Sequence, residues 1–178
     1  MPISPEIQAL ESRLLALPRT KRLAFSAACA ARVVVVHDFD GYAESDDLER
    51  ASELVWKVAL GGKASPAAIK KARKLVTGAM PESAEDEPTY SATAFSVVAV
   101  LNALDVVEEV DPQAVVRVSR NEYDAYEALG EDAARDHEQA WQAQVVTVLE
   151  GAAETAVARH MFDDLPAPPE DTFPERED

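Results

Sequence analysis

The chain has 178 residues, of which 47% are hydrophobic, so it is long enough to bury the core of a single domain. Its formal charge is −16, from 33 acidic against 17 basic residues, and this field disfavours binding to nucleic acid or to an anionic membrane surface. The single cysteine excludes an internal disulfide and any metal site that needs several thiolates.

The first residues, MPISPEIQALESRL, contain neither a basic region nor an apolar region typical of a secretion signal. We therefore expect a cytoplasmic protein.

Four helices are predicted before residue 80. Ser4 and Ser65 are each followed by proline, the pattern of an N-cap and a first helical residue, while the Gly61–Gly62 pair and Gly78 are typical helix ends. The β-branched run at 33–36 could form a strand by propensity, but the chain offers no second strand to pair with it, so we interpret it as part of the second helix. A turn at 37–42 follows, marked by Asp-Gly.

Residues 90–110, YSATAFSVVAVLNALDVVEEV, form the most apolar stretch. The stretch is too long and too rich in Ala and Leu for a typical strand. It is also too short, and too polar at Asn102 and Asp105, to span a bilayer. A helix that is apolar on nearly every face must be surrounded by other elements, so the sequence predicts a buried central helix at about 91–110.

The C-terminal part predicts two more helices and a tail. The sixth helix opens at the Asp111-Pro112 cap, and the seventh, the longest, runs from about 132 to 162. From residue 163 onward prolines and acidic residues dominate, a composition that cannot support a packed core. The fold prediction is therefore all-α, a single-domain bundle of about seven helices over 1–162, with a disordered acidic tail over 163–178.

Enzyme signatures are missing from the sequence. There is no nucleophile elbow, no glycine-rich phosphate loop and no H-E-x-x-H motif, and the residues three positions before His37, His137 and His160 are valine or alanine rather than glutamate. Cys29 lies in an alanine-rich run, where a buried thiol acts as a small hydrophobe. We expect a protein that is not an enzyme and that holds no cofactor.

One partial match to a calcium loop remains. Asp38, Asp40, Asp46 and Glu49 occupy positions 1, 3, 9 and 12 of such a loop, but Ala43 stands where its sharp turn needs glycine. The acidic start of a helix explains the same residues. The alternative function is accordingly a metal-binding or enzymatic helical protein that uses the turn from His37 to Asp40 together with Glu49.

Asn102 and the aromatic residues are further binding candidates. Asn102 either forms a hydrogen bond to a neighbouring helix, which fixes the register, or lines a small pocket. Trp56, Tyr123, Tyr126 and Trp141 could lie at an interface with a partner or with a second copy in a homodimer, since aromatic residues favour interface centres. Packing in the core is the other interpretation for each.

Several segments resemble the YjaG-like family, small all-helical bacterial proteins without an assigned biochemical function. The resemblance rests on LLALPRTKRLAFSAACAAR at 14–32, on ELVW at 53–56, on 90–104 and on the spacing around Trp141. It implies an all-α fold over about residues 10–160 and supplies no catalytic residues. The chain departs from the family after Arg32, where VVVVHD replaces the proline–asparagine–tyrosine turn that the family tends to carry.

The functional expectation is a non-enzymatic, acidic protein-binding module of the bacterial cytoplasm that engages a protein partner, and its negative charge suits a basic one. A specific version is an immunity or antitoxin-like protein that masks a basic toxin surface, since acidic surfaces accelerate such encounters. The densest basic cluster, KKARK at 70–74, would bind an acidic group or pair with the chain's own carboxylates.

Overall fold

The computed structural model describes residues 4–40, 46–81, 88–129 and 132–167, with side chains undescribed at 38–40, 88–91 and 132–133. These residues form seven α-helices and contain no β-strand, so the predicted all-α bundle is confirmed. The helices are α1 (Pro5–Ala16), α2 (Arg19–Asp40), α3 (Asp46–Ala59), α4 (Pro66–Gly78), α5 (Pro88–Glu108), α6 (Ala114–Glu127) and α7 (Asp132–Gly151). None of these helices is long and apolar enough to cross a membrane.

Helix α5 is the centre of the bundle, as the sequence predicts. It packs against α2, α3, α4 and α6. Its valine, alanine and leucine side chains are buried on several faces, among them Val97, Val100, Ala103 and Leu104, which have no exposed surface. A fully buried Val or Leu side chain stabilises the fold by roughly 1.5–3 kcal/mol, so this helix anchors the core.

The predicted starts of α1 and α4 and the predicted end of α3 are confirmed. The Ser4 and Ser65 hydroxyls accept hydrogen bonds from the Ile7 and Ala68 amides at 3.3 and 3.2 Å, and proline follows each cap. After α3 the chain reverses at Gly61, which has a φ of 86°. The Gly62 amide then donates to the Lys57 carbonyl at 2.8 Å. Glycine is preferred at such left-handed helix ends because it has no Cβ.

Helix α2 is longer than predicted. Residues 33–36 are helical as expected, but the helix continues through His37 to Asp40, so the predicted turn at these four residues is wrong. Val33, Val36 and His37 have no exposed surface, which shows that the apolar face of α2 runs on past the valines. Burial of this face outweighs the local preference of Asp and Gly for a turn. Residues 41–45, the rest of the predicted turn, lie outside the described part of the chain.

Two other predicted boundaries are wrong. Helix α6 begins at Ala114 rather than beside Asp111, because the Asp111 carboxylate accepts from the Gln113 amide at 2.8 Å and closes a turn first. Helix α7 ends at Gly151 rather than near residue 162. Two short 3₁₀ helices, Glu154–Ala156 and Arg159–Phe162, follow it. Val157 packs against the core although it is not part of an α-helix. Its place in the apolar pattern of the sequence therefore reflects contact with the core and not helical structure.

Residues 152–167 form a C-terminal strap that crosses the bundle. Arg159 donates to both carboxylate oxygens of Glu53 on α3, at 2.7 and 2.6 Å, and its guanidinium lies 5.2 Å from the centre of the Trp56 ring. Leu165 packs against the core, and the Pro166 carbonyl lies 3.5 Å from Arg32 Nη1. Residues 163–167 of the predicted tail therefore contact the bundle. Residues 168–178 lie outside the described residues, where disorder stays a prediction.

Candidate functional site

A polar cluster is buried where α2, α6 and α7 meet. Arg32 comes from α2, Glu122 from α6, and Glu138 and Gln142 from α7. Both glutamates and the glutamine have no exposed surface. Taking a charged group out of water costs several kcal/mol unless a partner compensates it, so the fold must stabilise this cluster through its internal contacts.

Arg32 is the positive charge of the cluster. Its Nε lies 2.8 Å from each carboxylate oxygen of Glu138 and 4.0 Å from Oε1 of Glu122. The guanidinium stacks over Trp141 at 4.2 Å from the ring centre, and the Tyr126 hydroxyl donates to the Arg32 carbonyl at 3.3 Å. These contacts tie the end of α2 to both α6 and α7.

Glu122 on α6 is contacted by Gln142 of α7. Gln142 Nε2 donates to Oε2 of Glu122 and, at 2.9 Å, to the carbonyl of Ser119, whose hydroxyl donates back to Gln142 Oε1. Burial, followed by the charge of Glu138, raises the pKa of Glu122 well above its usual range, and Arg32 opposes this shift only in part. Burial and the neighbouring Glu138 therefore both favour the neutral, protonated form of Glu122.

Cys29 and Tyr126 complete the surroundings of Glu122. Burial raises the pKa of the fully buried Cys29 thiol well above its usual value. Burial and the charge of Glu138 raise the pKa of Tyr126 in the same way. Both groups stay neutral at ordinary pH, and a protonated thiol is a poor nucleophile. Because Glu122 and Glu138 have no exposed surface, substrate cannot reach these carboxyls in this conformation.

Of the four calcium-loop candidates, the structure describes the side chains of Asp46 and Glu49. Asp46 pairs with Arg50 of its own helix at 3.1 Å, and Glu49 is exposed on α3. The side chains of Asp38 and Asp40 lie outside the described residues. Within the described ranges, no three His, Cys, Asp or Glu side chains are placed to hold a metal ion.

Asn102 forms the helix-to-helix hydrogen bond that the sequence suggests. Its Oδ1 accepts from Arg117 Nε on α6 at 2.9 Å, and its Nδ2 donates to the Val98 carbonyl at 3.0 Å. Both ends of the buried amide are satisfied, so Asn102 fixes the register of α5 against α6. Within the basic cluster on α4, Arg73 pairs with Asp105 and Glu108 of α5.

The aromatic interface candidates are buried inside the bundle. Trp56, Tyr123 and Tyr126 are only 5, 7 and 1% exposed, and Trp141 is 5% exposed. Side chains with so little accessible surface contribute little to an interface while the bundle keeps this conformation.

An open groove between α1 and α7 is the surface feature that best fits a partner. Its floor is apolar, from Ile7, Leu10, Ala140 and Ala143, and Glu6, Asp136 and Gln139 line its rim, around a volume of about 300 Å³. A second depression of about 330 Å³ shares Ala143 and continues along α7 to Val148 and Leu165. Asp136 and Val148 are 12 positions apart on α7, which corresponds to about 18 Å of helix.

Sequence reasoning missed the buried carboxyl pair, although the spacing contains a signal. Glu138 lies four residues after Ala134 and three before Trp141, inside the apolar stripe of α7. A glutamate within such a stripe must be buried with a partner or neutralised. Glu122, directly before Tyr123 on the buried face of α6, carries the same signal.

Comparison with protein-family models, with curated proteins and with solved structures finds no match for this chain. The resemblance to the YjaG-like family thus stays a prediction.

Proposed function

We propose that the chain is an acidic, cytoplasmic, non-enzymatic module that binds a basic protein partner in the groove between α1 and α7. The observation that carries the proposal is the combination of an apolar floor with an acidic rim on a chain of formal charge −16. Such a groove suits an amphipathic helix whose apolar residues enter the floor and whose lysines or arginines meet the rim.

The charges around the groove favour a cationic occupant. Arg13 binds Glu150 at 2.8 Å and Arg120 binds Glu11 at 2.6 Å, so the nearby arginines are engaged by the chain's own carboxylates. At the rim, Asp136 and Glu6 are exposed. Hydrogen bonds from its own backbone amide and from Ser4 lower the pKa of Glu6, which keeps that carboxylate ionised. A basic partner is attracted over long range, and an acidic one is repelled.

The shape of the groove favours a helical occupant. About 18 Å corresponds to more than three turns of an α-helix, enough for anchors at positions i, i+3 or i+4, and i+7. Ala140 and Ala143 present small side chains on α7, which leaves room for the larger side chains of a partner. A specific form of the proposal is an immunity or antitoxin-like protein that masks a basic toxin surface.

Capture from the native cell tests the proposal. The tagged chain should retain one stoichiometric basic protein at low salt and lose it as salt rises, because screening weakens the attraction. Ala140→Arg places a cation in the groove and should reduce capture about tenfold, a loss of about 1.4 kcal/mol of binding free energy.

Ala67→Arg, on the exposed face of α4, is the matched control and should capture as well as the wild type. Equal capture by both variants would contradict the groove as the binding site. A chain that retains no basic protein at low salt would contradict the proposed function, and retention of a second copy of the chain would assign the groove to a homodimer.

A further inference from the structure

We propose that Glu122 and Glu138 bind one proton between them, and that this proton holds α6 against α7 so that the bundle loosens when the pair loses it. The inference concerns the buried cluster alone, and it stands whether or not the groove binds a partner. The pair is thus a proton-binding site whose occupancy depends on pH.

The charges in the cluster require the proton. Arg32 supplies one positive charge, and the two carboxyl groups, each without exposed surface, would supply two negative charges. Arg32 Nε already contacts both oxygens of Glu138, so its charge compensates that carboxylate. If Glu122 were also ionised, its negative charge would be buried without a cation of its own. A proton on Glu122 removes that charge and requires no other change in the structure.

The hydrogen-bond donors around the pair show where the proton lies. Gln142 donates to Oε2 of Glu122, whereas Oε1 accepts no hydrogen bond from any described donor. Arg32 Nε, 4.0 Å away, is too far to donate to Oε1. A proton on Oε1 of Glu122 fits this arrangement, because Oε1 and Glu138 lie around the same Arg32 Nε, at 4.0 and 2.8 Å, and only one of the two carboxyl groups is hydrogen-bonded to it.

The other groups that face the pair do not supply a second charge. On α2, Cys29 contacts Glu122 and Arg32 contacts Glu138. On α6, Tyr126 lies near the same carboxyls. Burial raises the pKa of both the Cys29 thiol and the Tyr126 hydroxyl well above their usual values, so both stay neutral and Arg32 is the charge that balances the pair.

The sign of the pH dependence follows from the raised pKa of Glu122. The folded chain keeps a proton that the unfolded chain releases above a pKa of about 4.3. The stability that this proton provides is fully present below about pH 4.3 and is lost as pH rises through the raised folded-state pKa of Glu122. Loss of the proton leaves two like charges facing each other between α6 and α7, where the low dielectric strengthens their repulsion.

Urea unfolding of the full chain between pH 4.5 and 9 tests the inference. In the wild type there is a pH range in which the unfolded chain has released the proton and the folded chain has kept it. Over that range the unfolding equilibrium constant should rise about tenfold per pH unit. Glu122→Gln mimics the protonated acid and should remove that one-proton dependence. Glu154→Gln, an exposed change within the strap, is the control and should keep the wild-type slope.

Identical slopes for the wild type and Glu122→Gln would overturn the inference. Carbon NMR of the wild-type carboxyl groups decides the case if Glu122→Gln does not fold. We expect the Glu122 carboxyl group to keep its proton well above the usual range for glutamate, and ionisation of Glu122 within that usual range would equally overturn the inference.

Discussion

The Nε atom of Arg32 lies 2.8 Å from both carboxylate oxygens of Glu138, and this contact joins α2 to α7 inside the bundle. The guanidinium also stacks over the ring of Trp141, with 4.2 Å to the ring centre. Because Glu138 has no exposed surface, water cannot replace the guanidinium if it is removed. The stability of the fold around the buried cluster therefore depends on this contact.

Arg32→Met should lower the free energy of unfolding by roughly 3–5 kcal/mol, since it leaves a buried carboxylate without its partner. Arg50→Met is the matched control, because Arg50 pairs with exposed Asp46 and such surface pairs contribute about 0.5 kcal/mol or less. Urea unfolding at pH 7 measures both. Equal losses of unfolding free energy in the two variants would show that the buried contact stabilises the fold no more than the exposed one.

Asp124 provides a second pH-dependent group. Burial, and then the charge of Glu127, raises the pKa of Asp124 to about 6. The folded chain holds this proton more tightly than the unfolded chain, so the stability it provides is complete below about pH 4 and lost as pH rises through about 6. Asp124→Asn should therefore show a shallower loss of stability between pH 4 and 6 than the wild type. A carboxyl NMR titration with a midpoint near 4 would contradict this.

A side chain at Gly62, which follows α3, would clash with the backbone of that helix. A Cβ there would lie 2.6 Å from the Lys57 carbonyl oxygen, which is held by the helix backbone. Gly62→Ala should therefore lower the free energy of unfolding by about 1–3 kcal/mol. Gly78→Ala is the control, because its Cβ would meet no atom within 4 Å. Thermal unfolding should show the control unchanged or stabilised, and a neutral Gly62→Ala would refute the clash.

The strap should detach when Arg159 is removed. Arg159→Ala deletes the two hydrogen bonds to Glu53 and the contact over Trp56, which leaves the Phe162 ring, 6.0 Å from that of Trp56, as an aromatic contact of the strap. We expect faster proteolysis within residues 152–167, with a change of less than about 1 kcal/mol in bundle stability because the ion pair is half exposed. Arg13→Ala, which removes a similar pair with Glu150, should leave strap proteolysis unchanged.

Local signals were sufficient to predict the bundle. Apolar residues on every face of α5 mark the centre, and Ser-Pro pairs mark the starts of α1 and α4, because these features act within one helix. The ends of α2 and α7 depend on other elements. The apolar face of α2 extends through buried His37, and after Gly151 the chain is drawn to α3 by the pairing of Arg159 with Glu53.

The candidate sites were harder to predict because they join distant parts of the chain. Arg32 and Glu138 are 106 positions apart, and their contact exists only after α2 and α7 pack together. The groove depends likewise on how α1 lies beside α7. A hydrogen bond between Asn102 and a neighbouring helix could be predicted, because a buried amide needs a partner. The sequence could not identify Arg117 as that partner.

Photo-crosslinking in the native cell tests the proposed function most directly. A photoreactive amino acid at position 140 lies in the groove, and the same residue at position 67 lies on exposed α4. We predict that position 140 crosslinks to one basic protein, that position 67 does not, and that raised salt abolishes the crosslink in lysate. Crosslinking of that partner through position 67 and not through position 140, or no crosslink at either position, would contradict the account.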